Sequence, residues 1–207
     1  MESIYGQYRE KLELVLDDLT GRIAGINAKI KEERGEGIYE HLTARVKSDE
    51  SMREKCRRKG LPEEEKSALE DIHDAIGIRI VCSFVDDIYE IVGLIKKLEG
   101  IEVLEEKDYV RNVKPNGYRS YHIVMAVQTG YEDCLGRRPG KYYAEIQLRT
   151  IAMDSWASLE HKLKYKKNVK NQDLIVAELK KCADELASCD LSMQTIRDLI
   201  NEDNDNT

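Results

Sequence analysis

Two acids and two clusters of cations carry the clearest chemical potential in this chain. In Tyr142-Tyr143-Ala144-Glu145-Ile146-Gln147-Leu148-Arg149-Thr150, a strand's two-residue period sends Tyr143, Glu145, Gln147 and Arg149 to one face. Ala144, Ile146 and Leu148 go to the other. Such a polar face is a rigid platform for chemistry, or equally the solvated side of an antiparallel sheet. In Asp74-Ala75-Ile76-Gly77-Ile78-Arg79-Ile80-Val81, an acid stands at a strand entrance and Arg79 interrupts an apolar run. Arg79 also fits a structural ion pair with Asp74 or another acid. On neighbouring strands, Asp74 and Glu145 would make a site for Mg²⁺, which takes oxygen ligands from one or two carboxylates, substrate phosphates and water.

The cations supply what such a site would need. Arg45, Lys47, Arg53, Lys55, Arg57, Arg58 and Lys59 crowd one segment, and Lys162, Lys164, Lys166 and Lys167 another. Charge runs commonly mark solvated helix faces. Beside a Mg²⁺ site they also match a polyphosphate, and arginine has a planar face that stacks on a base. The segment Lys114-Pro115-Asn116-Gly117 reads as a tight turn opening into Tyr118-Arg119-Ser120-Tyr121-His122. Tyr118 can stack on a purine there, with Lys114 and His122 able to meet phosphate; plain strand packing accounts for Tyr118 and Tyr121 as well.

The elements that position these groups follow from pattern. Ile4, Tyr8, Leu12, Val15, Leu19, Ile23, Ile26 and Ile30 recur at helical steps from Ser3 to about Glu33, until Gly35 and Gly37 break the run. The basic stretch 41–60 is expected to be one or two helices. Ile76 to Phe84 reads as a strand, Asp86 to Leu98 as a helix, and Ile101 to Val113 as a short strand with an irregular end. Tyr118 to Thr129 and Lys141 to Thr150 are strands around a loop at 133–140. Helices are expected over 152–167 and 173–201, with a disordered tail from Glu202. Two successive strands without an intervening helix disfavour a doubly wound sheet, so the class is α+β with one mixed sheet flanked by helices.

Composition narrows the function. The 207 residues are 41% hydrophobic and 35% charged, a globular balance. A net charge of −7 argues against a general nucleic-acid coat protein. No apolar run approaches the roughly 20 residues that cross a bilayer, the first residues lack the pattern of a signal peptide, and five scattered cysteines without a CxxC pair read as reduced thiols. A cytoplasmic protein without membrane contact is expected.

Five segments in order resemble the synthetase domain of RelA/SpoT-type alarmone enzymes, most of all the short single-domain branch called small alarmone synthetases. They are Leu-Thr-Ala-Arg-Val-Lys-Ser (42–48), Asp-Ala-Ile-Gly-Ile-Arg (74–79), Lys-Pro-Asn-Gly-Tyr-Arg-Ser-Tyr-His (114–122), Glu-Ile-Gln-Leu-Arg-Thr (145–150) and Trp-Ala-Ser-Leu-Glu-His-Lys-Leu-Lys-Tyr-Lys (156–166). The resemblance implies a nucleotidyltransferase-like synthetase fold over 38–170, an N-terminal helix over 1–37, and a C-terminal helix with its tail over 171–207. It implies transfer of pyrophosphate from ATP to the 3′-hydroxyl of GDP or GTP, making the alarmone of the stringent response. It further implies that Arg45 and Arg79 sandwich adenine, that Lys47, Lys55 and Arg58 hold the ATP phosphates, and that Asp74 and Glu145 bind Mg²⁺. Glu145 would also accept the hydroxyl proton. Tyr118 would stack on guanine, with Lys114 and His122 near the acceptor phosphates and Gln147 and Arg149 helping to position the substrates. Glu160, His161 and Lys164 would support them. Ile76 and Tyr121 depart from the common Ala and Leu of the family beside these residues and leave the chemistry in place.

Two other classes fit the residues less well. Alarmone hydrolysis needs a metal centre of several His and Asp ligands, and His41, His73, His122 and His161 form no such array. A non-catalytic nucleotide- or RNA-binding module would have lost the carboxylates or extended the basic segments, and neither has happened. The resemblance also implies a homotetramer assembled through terminal helices, and leaves open an alarmone effector and single-stranded RNA as partners. The phosphates that distinguish GDP, GTP and GMP as acceptors are expected to lie in mobile loops such as 108–117 and 130–140.

Overall fold

The computed structural model describes residues 2–164 and 171–205. Five strands form one mixed sheet in the order β1-β2-β5-β4-β3: β1 (His41–Val46), β2 (Ile76–Cys82), β3 (Ile101–Asp108), β4 (Tyr121–Thr129) and β5 (Gly140–Thr150). The central β2–β5 pair is parallel, and every other neighbouring pair is antiparallel.

One sheet face is the core. Ile76, Ile78 and Ile80 stand beside Ala144, Ile146 and Leu148, and Ile123 and Met125 continue the layer on β4; all eight are buried. Helix α1 (Arg9–Arg34) lays Leu12, Val15, Leu16, Leu19, Ile23 and Ile30 into this layer. The spacing is that of an amphipathic helix, which ends on Gly35 at φ 85° with the Gly35 N–H donating to the Lys31 carbonyl. Helix α3 (Val85–Ile95) adds Ile88, Ile91, Val92 and Ile95. The other face is left for polar groups, as the alternation in 142–150 requires.

Three sequence expectations change. The stretch 41–46 is a strand, not a helix. Its alternation of Leu42, Ala44 and Val46 with His41, Thr43 and Arg45 pairs it antiparallel with β2, while helix α2 occupies Asp49–Lys59. Strand β4 starts at Tyr121 rather than Tyr118, because the 114–117 turn runs on through an irregular segment. Finally, α5 (Gln172–Asp205) carries the helix past the expected tail start at Glu202. Helix α4 (Ile151–Lys164) follows β5 without a loop, and Lys166 and Lys167 of the second basic cluster lie outside the described residues.

Helix α5 runs along the end of the sheet where β2 and β5 finish. Trp156 Nε1 on α4 donates to the Leu179 carbonyl at 2.7 Å, Thr150 Oγ1 donates to Asp190 at 2.7 Å, and Arg197 pairs with Asp87 at 2.5 Å. Among the described residues, no helix is long and apolar enough to cross a membrane.

Candidate active site

The polar sheet face opens into a cavity of about 420 Å³ lined by Thr43, Arg45, Lys47, Asp74, Gly77, Arg79, Glu145 and Gln147, among others. The two acids therefore share one space, although they lie 71 residues apart in sequence. The parallel β2–β5 pair sets Gly77 beside Glu145 and Arg79 beside Gln147.

Asp74 precedes β2 and meets two ammonium groups. Lys47 Nζ and Lys55 Nζ both donate to its Oδ2 at 2.5 Å. Burial pushes the Asp74 carboxyl up, but the two lysines outweigh it and hold the group below the usual carboxylate range. Burial pulls Lys47 below the ordinary lysine value; Asp74 offsets this only in part, and the Lys55 charge adds to the depression. One anion shared between two cations leaves a net positive pocket wall, which suits a polyphosphate. The second oxygen, Asp74 Oδ1, is buried and has no hydrogen-bond partner.

This arrangement is anchored from outside the cavity. Met52 and Cys56 bury one face of α2, so Lys55 is carried on a fixed helix. The Ser48 side chain caps its start and Gly60, at φ 69°, ends it. The Lys47 carbonyl accepts from Tyr5 Oη at 2.9 Å, and the Lys47 N–H donates to the Ala75 carbonyl at 2.8 Å. Arg53 and Arg57 are engaged by Glu63, whereas Arg58 is exposed, one turn beyond Lys55.

Arg45 and Arg79 are diagonal neighbours on β1 and β2, because Arg45 pairs with Gly77 and Thr43 with Arg79. Diagonal positions lie roughly 7–8 Å apart, about twice the ~3.5 Å contact distance of carbon atoms. Gly77 places no side chain in that gap. Arg79 Nε is buried and unpaired.

Glu145 is held by both oxygens. His122 Nδ1 lies 2.9 Å from Oε1, and Gln147 Nε2 donates to Oε2 at 3.4 Å. Burial raises this carboxyl, but His122 and then Gln147 lower it further, and it rests below the ordinary glutamate value. With Glu145 ionised, His122 Nδ1 carries the proton. Nε2 lies 2.8 Å from Tyr118 Oη, and Tyr118 Oη accepts from Arg149 Nη2 at 2.9 Å. Arg149 is 5% exposed; it also donates to Gln147 Oε1 at 3.1 Å and pairs with Asp154 at 2.9 Å.

The 114–117 turn closes with the Gly117 N–H donating to the Lys114 carbonyl at 2.8 Å, and Asn116 Oδ1 accepts from the Tyr118 N–H at 3.2 Å. Lys114 is exposed and sits over the rings of Tyr109 (4.2 Å) and Tyr118 (5.0 Å). Asn116 donates to Glu160 of α4 at 3.3 Å. The 130–140 loop, by contrast, is knotted. Asp133 accepts from the backbone of Leu135, Arg137 and Lys141 and from the Arg137 side chain, and Arg137 reaches Glu70.

Thus Arg45, Lys47, Asp74, Arg79, Glu145 and Gln147 line one cavity, with Lys55 behind Asp74. His122, Tyr118 and Arg149 form a chain behind Glu145; Lys114 stands above Tyr118, and Arg58 stands outside. Sequence reasoning missed Gly77, Tyr109 and Asp154. Only Gly77 carried a local signal, as a lone glycine in an apolar strand.

A family model described as the region found in RelA and SpoT proteins matches residues 44–170. The chain is 41% identical over 172 residues to the GTP pyrophosphokinase YwaC of Bacillus subtilis, covering 83% of this chain and 80% of that protein. A crystal structure of the small alarmone synthetase 1 from Bacillus subtilis bound to its product pppGpp superposes with a TM-score of 0.78 at 31% identity, over 91% of this chain and 94% of that one. The same synthetase bound to AMPCPP gives 0.71 at 28% identity, over 92% and 94%.

Proposed function

The chain belongs to the RelA/SpoT family, and on that premise we propose that it acts as a stand-alone alarmone synthetase. It transfers pyrophosphate from ATP to the 3′-hydroxyl of GDP or GTP and releases AMP. The observation that carries this reading is the meeting of Asp74 and Glu145 in one cavity with Arg45, Lys47 and Arg79.

The donor lies on the β1–β2 side. Arg45 and Arg79 take the adenine between their guanidinium planes, in the gap that Gly77 leaves. Lys47, Lys55 and Arg58 meet the phosphates, the two lysines turning toward them from Asp74. The acceptor lies on the β4 side, with guanine against Tyr118, its phosphates near Lys114 and His122, and Gln147 beside the ribose. Arg149 acts through Tyr118 and Gln147, since it is too buried to meet a nucleotide broadly.

The attacking 3′-oxygen forms a bond to the β-phosphorus, the bond from that phosphorus to the α–β bridging oxygen breaks, and AMP leaves. Glu145, ionised at neutral pH, takes the hydroxyl proton. Such transfers depend on positioning and charge neutralisation more than on covalent chemistry. The unpartnered Asp74 Oδ1 and the two-carboxylate donor set fit Mg²⁺. Held by Asp74 and Glu145, that ion would offset phosphate charge.

The apolar residues left exposed on α5, including Leu191, Ile196, Leu199 and Ile200, support a homotetramer assembled through terminal helices. A product alarmone acting as effector and single-stranded RNA are its further proposed partners. All five cysteines are free, which agrees with a reducing, cytoplasmic setting.

Mixing the protein with ATP, Mg²⁺ and either GDP or GTP tests the activity: AMP and a 3′-pyrophosphorylated guanine nucleotide are expected. No AMP above background with either acceptor would refute it. Light scattering at micromolar concentration tests the assembly, and a monomeric mass would remove it.

A further inference from the structure

Asp154 joins the two halves of this site, and no family motif brought it forward. It lies in the first turn of α4, where a carboxylate is favoured by the helix dipole. Its Oδ1 accepts from Arg149 Nη1 at 2.9 Å, and the same oxygen lies 3.4 Å from Arg79 Nη1. Arg149 is a buried guanidinium, and Asp154 is its acidic partner among the described residues. A buried charge without such a partner is costly. Held there, Arg149 points Nη2 at both the Tyr118 hydroxyl and Gln147 Oε1. Those two side chains lead to the two oxygens of Glu145, Tyr118 through His122 to Oε1 and Gln147 directly to Oε2. On the other side, Arg79 lines the donor cavity. A guanidinium stacks with its face and pairs with its edge, so Asp154 can hold Arg79 by the edge while the face stays open to a base.

We propose that Asp154 is a positioning residue shared by both half-sites, orienting Glu145 through Arg149 and fixing the plane of Arg79 on which the donor base stacks. The inference rests on the synthetase reading above. The two contacts differ in kind. The one to Arg149 is a directional hydrogen bond, whereas the one to Arg79 is a longer, mainly electrostatic contact. Asparagine keeps an oxygen for the first and loses the charge that serves the second, so it separates the two roles.

The test is steady-state AMP release by the full chain with ATP and GDP, comparing wild type with Asp154→Asn and Asp154→Ala. Wild-type turnover establishes the reading itself, and its absence would overturn both. Asp154→Ala should lower kcat between about 10- and 100-fold, the scale of a small misplacement of a reacting group. Asp154→Asn should recover kcat to within about threefold of wild type, since the Arg149 bond survives. Both should raise KM for ATP between about two- and tenfold, the equivalent of ordering one long side chain on binding. In an Arg79→Ala background, Asp154→Asn should move KM for ATP by less than about twofold, as a pairwise coupling requires. Should alanine prevent folding, the asparagine pair decides. Unchanged KM for ATP in Asp154→Asn would overturn the proposal, as would an effect of the same size without Arg79.

Discussion

Replacing Gly77 by valine separates folding from donor binding with one substitution. Gly77 lies on β2 opposite Arg45, and a Cβ placed there meets nothing closer than the Arg45 carbonyl oxygen at 3.9 Å. Its backbone is not in the left-handed region, so valine is unstrained. Glycine in a strand interior costs about 0.5–1 kcal/mol relative to alanine, and β-branched residues favour strands. The variant should therefore melt no lower than wild type. Its isopropyl group, however, fills the gap between Arg45 and Arg79. Two guanidinium–base contacts at about 0.5–1 kcal/mol each make a loss of about 1–2 kcal/mol. At 1.4 kcal/mol per tenfold, KM for ATP should rise about 5- to 30-fold. KM for GDP should stay within about twofold, because Gly77 lies away from the β4 side. The assay is AMP release against varied ATP and varied GDP, beside a thermal melt. A folded Gly77→Val enzyme with normal KM for ATP would refute the sandwich, and an equal rise for GDP would refute the division into half-sites.

Glu145→Gln and Asp74→Asn should each lower turnover at least ~100-fold, the scale of losing a base or metal ligand; near-normal AMP release with GDP in either would remove the assigned roles. Asp133 is 1% exposed. Burial raises its carboxyl, but the Lys141 and Arg137 donors hold it below the usual aspartate value. The stability it contributes is complete above the unfolded aspartate pKa of about 3.9 and is lost as pH falls through the lower folded value. Melting temperature should thus fall more steeply between roughly pH 5 and 2 in wild type than in Asp133→Asn, and parallel curves would count against the knot. Gly117 has φ 89°, and a Cβ there would stand 2.5 Å from the Ala183 Cβ on α5. Gly117→Ala should cost about 1–3 kcal/mol from overpacking alone and lower the melting temperature by several degrees; an unchanged melt would show that α5 yields easily.

The polar face of β5 was legible because a two-residue alternation is unambiguous over nine residues, and the structure puts Glu145 and Gln147 where that alternation directs. Strand β1 was not, because the six cations from Arg45 to Arg58 obscured the same alternation in His41–Val46. Asp154 was invisible for a different reason: its importance arises only when the first turn of α4 is set beside the end of β5 and the middle of β2. The 130–140 loop shows the limit of composition. Gly136, Pro139 and Gly140 announce a loop, but its closure around one aspartate that accepts four hydrogen bonds is something no count of turn residues reveals.

The parallel seam between β2 and β5 divides this enzyme into two territories. On the proposed reading, the groups assigned to the donor stand on the β1–β2 flank and those assigned to the acceptor on the β4 flank, with Glu145 on the border strand between them. If that assignment holds, preference among guanine nucleotides can drift through changes along β4 and the 114–117 turn while the proposed ATP cradle on β1 and β2 keeps its shape. Relatives that share the donor half but accept different nucleotides are what such a partition allows.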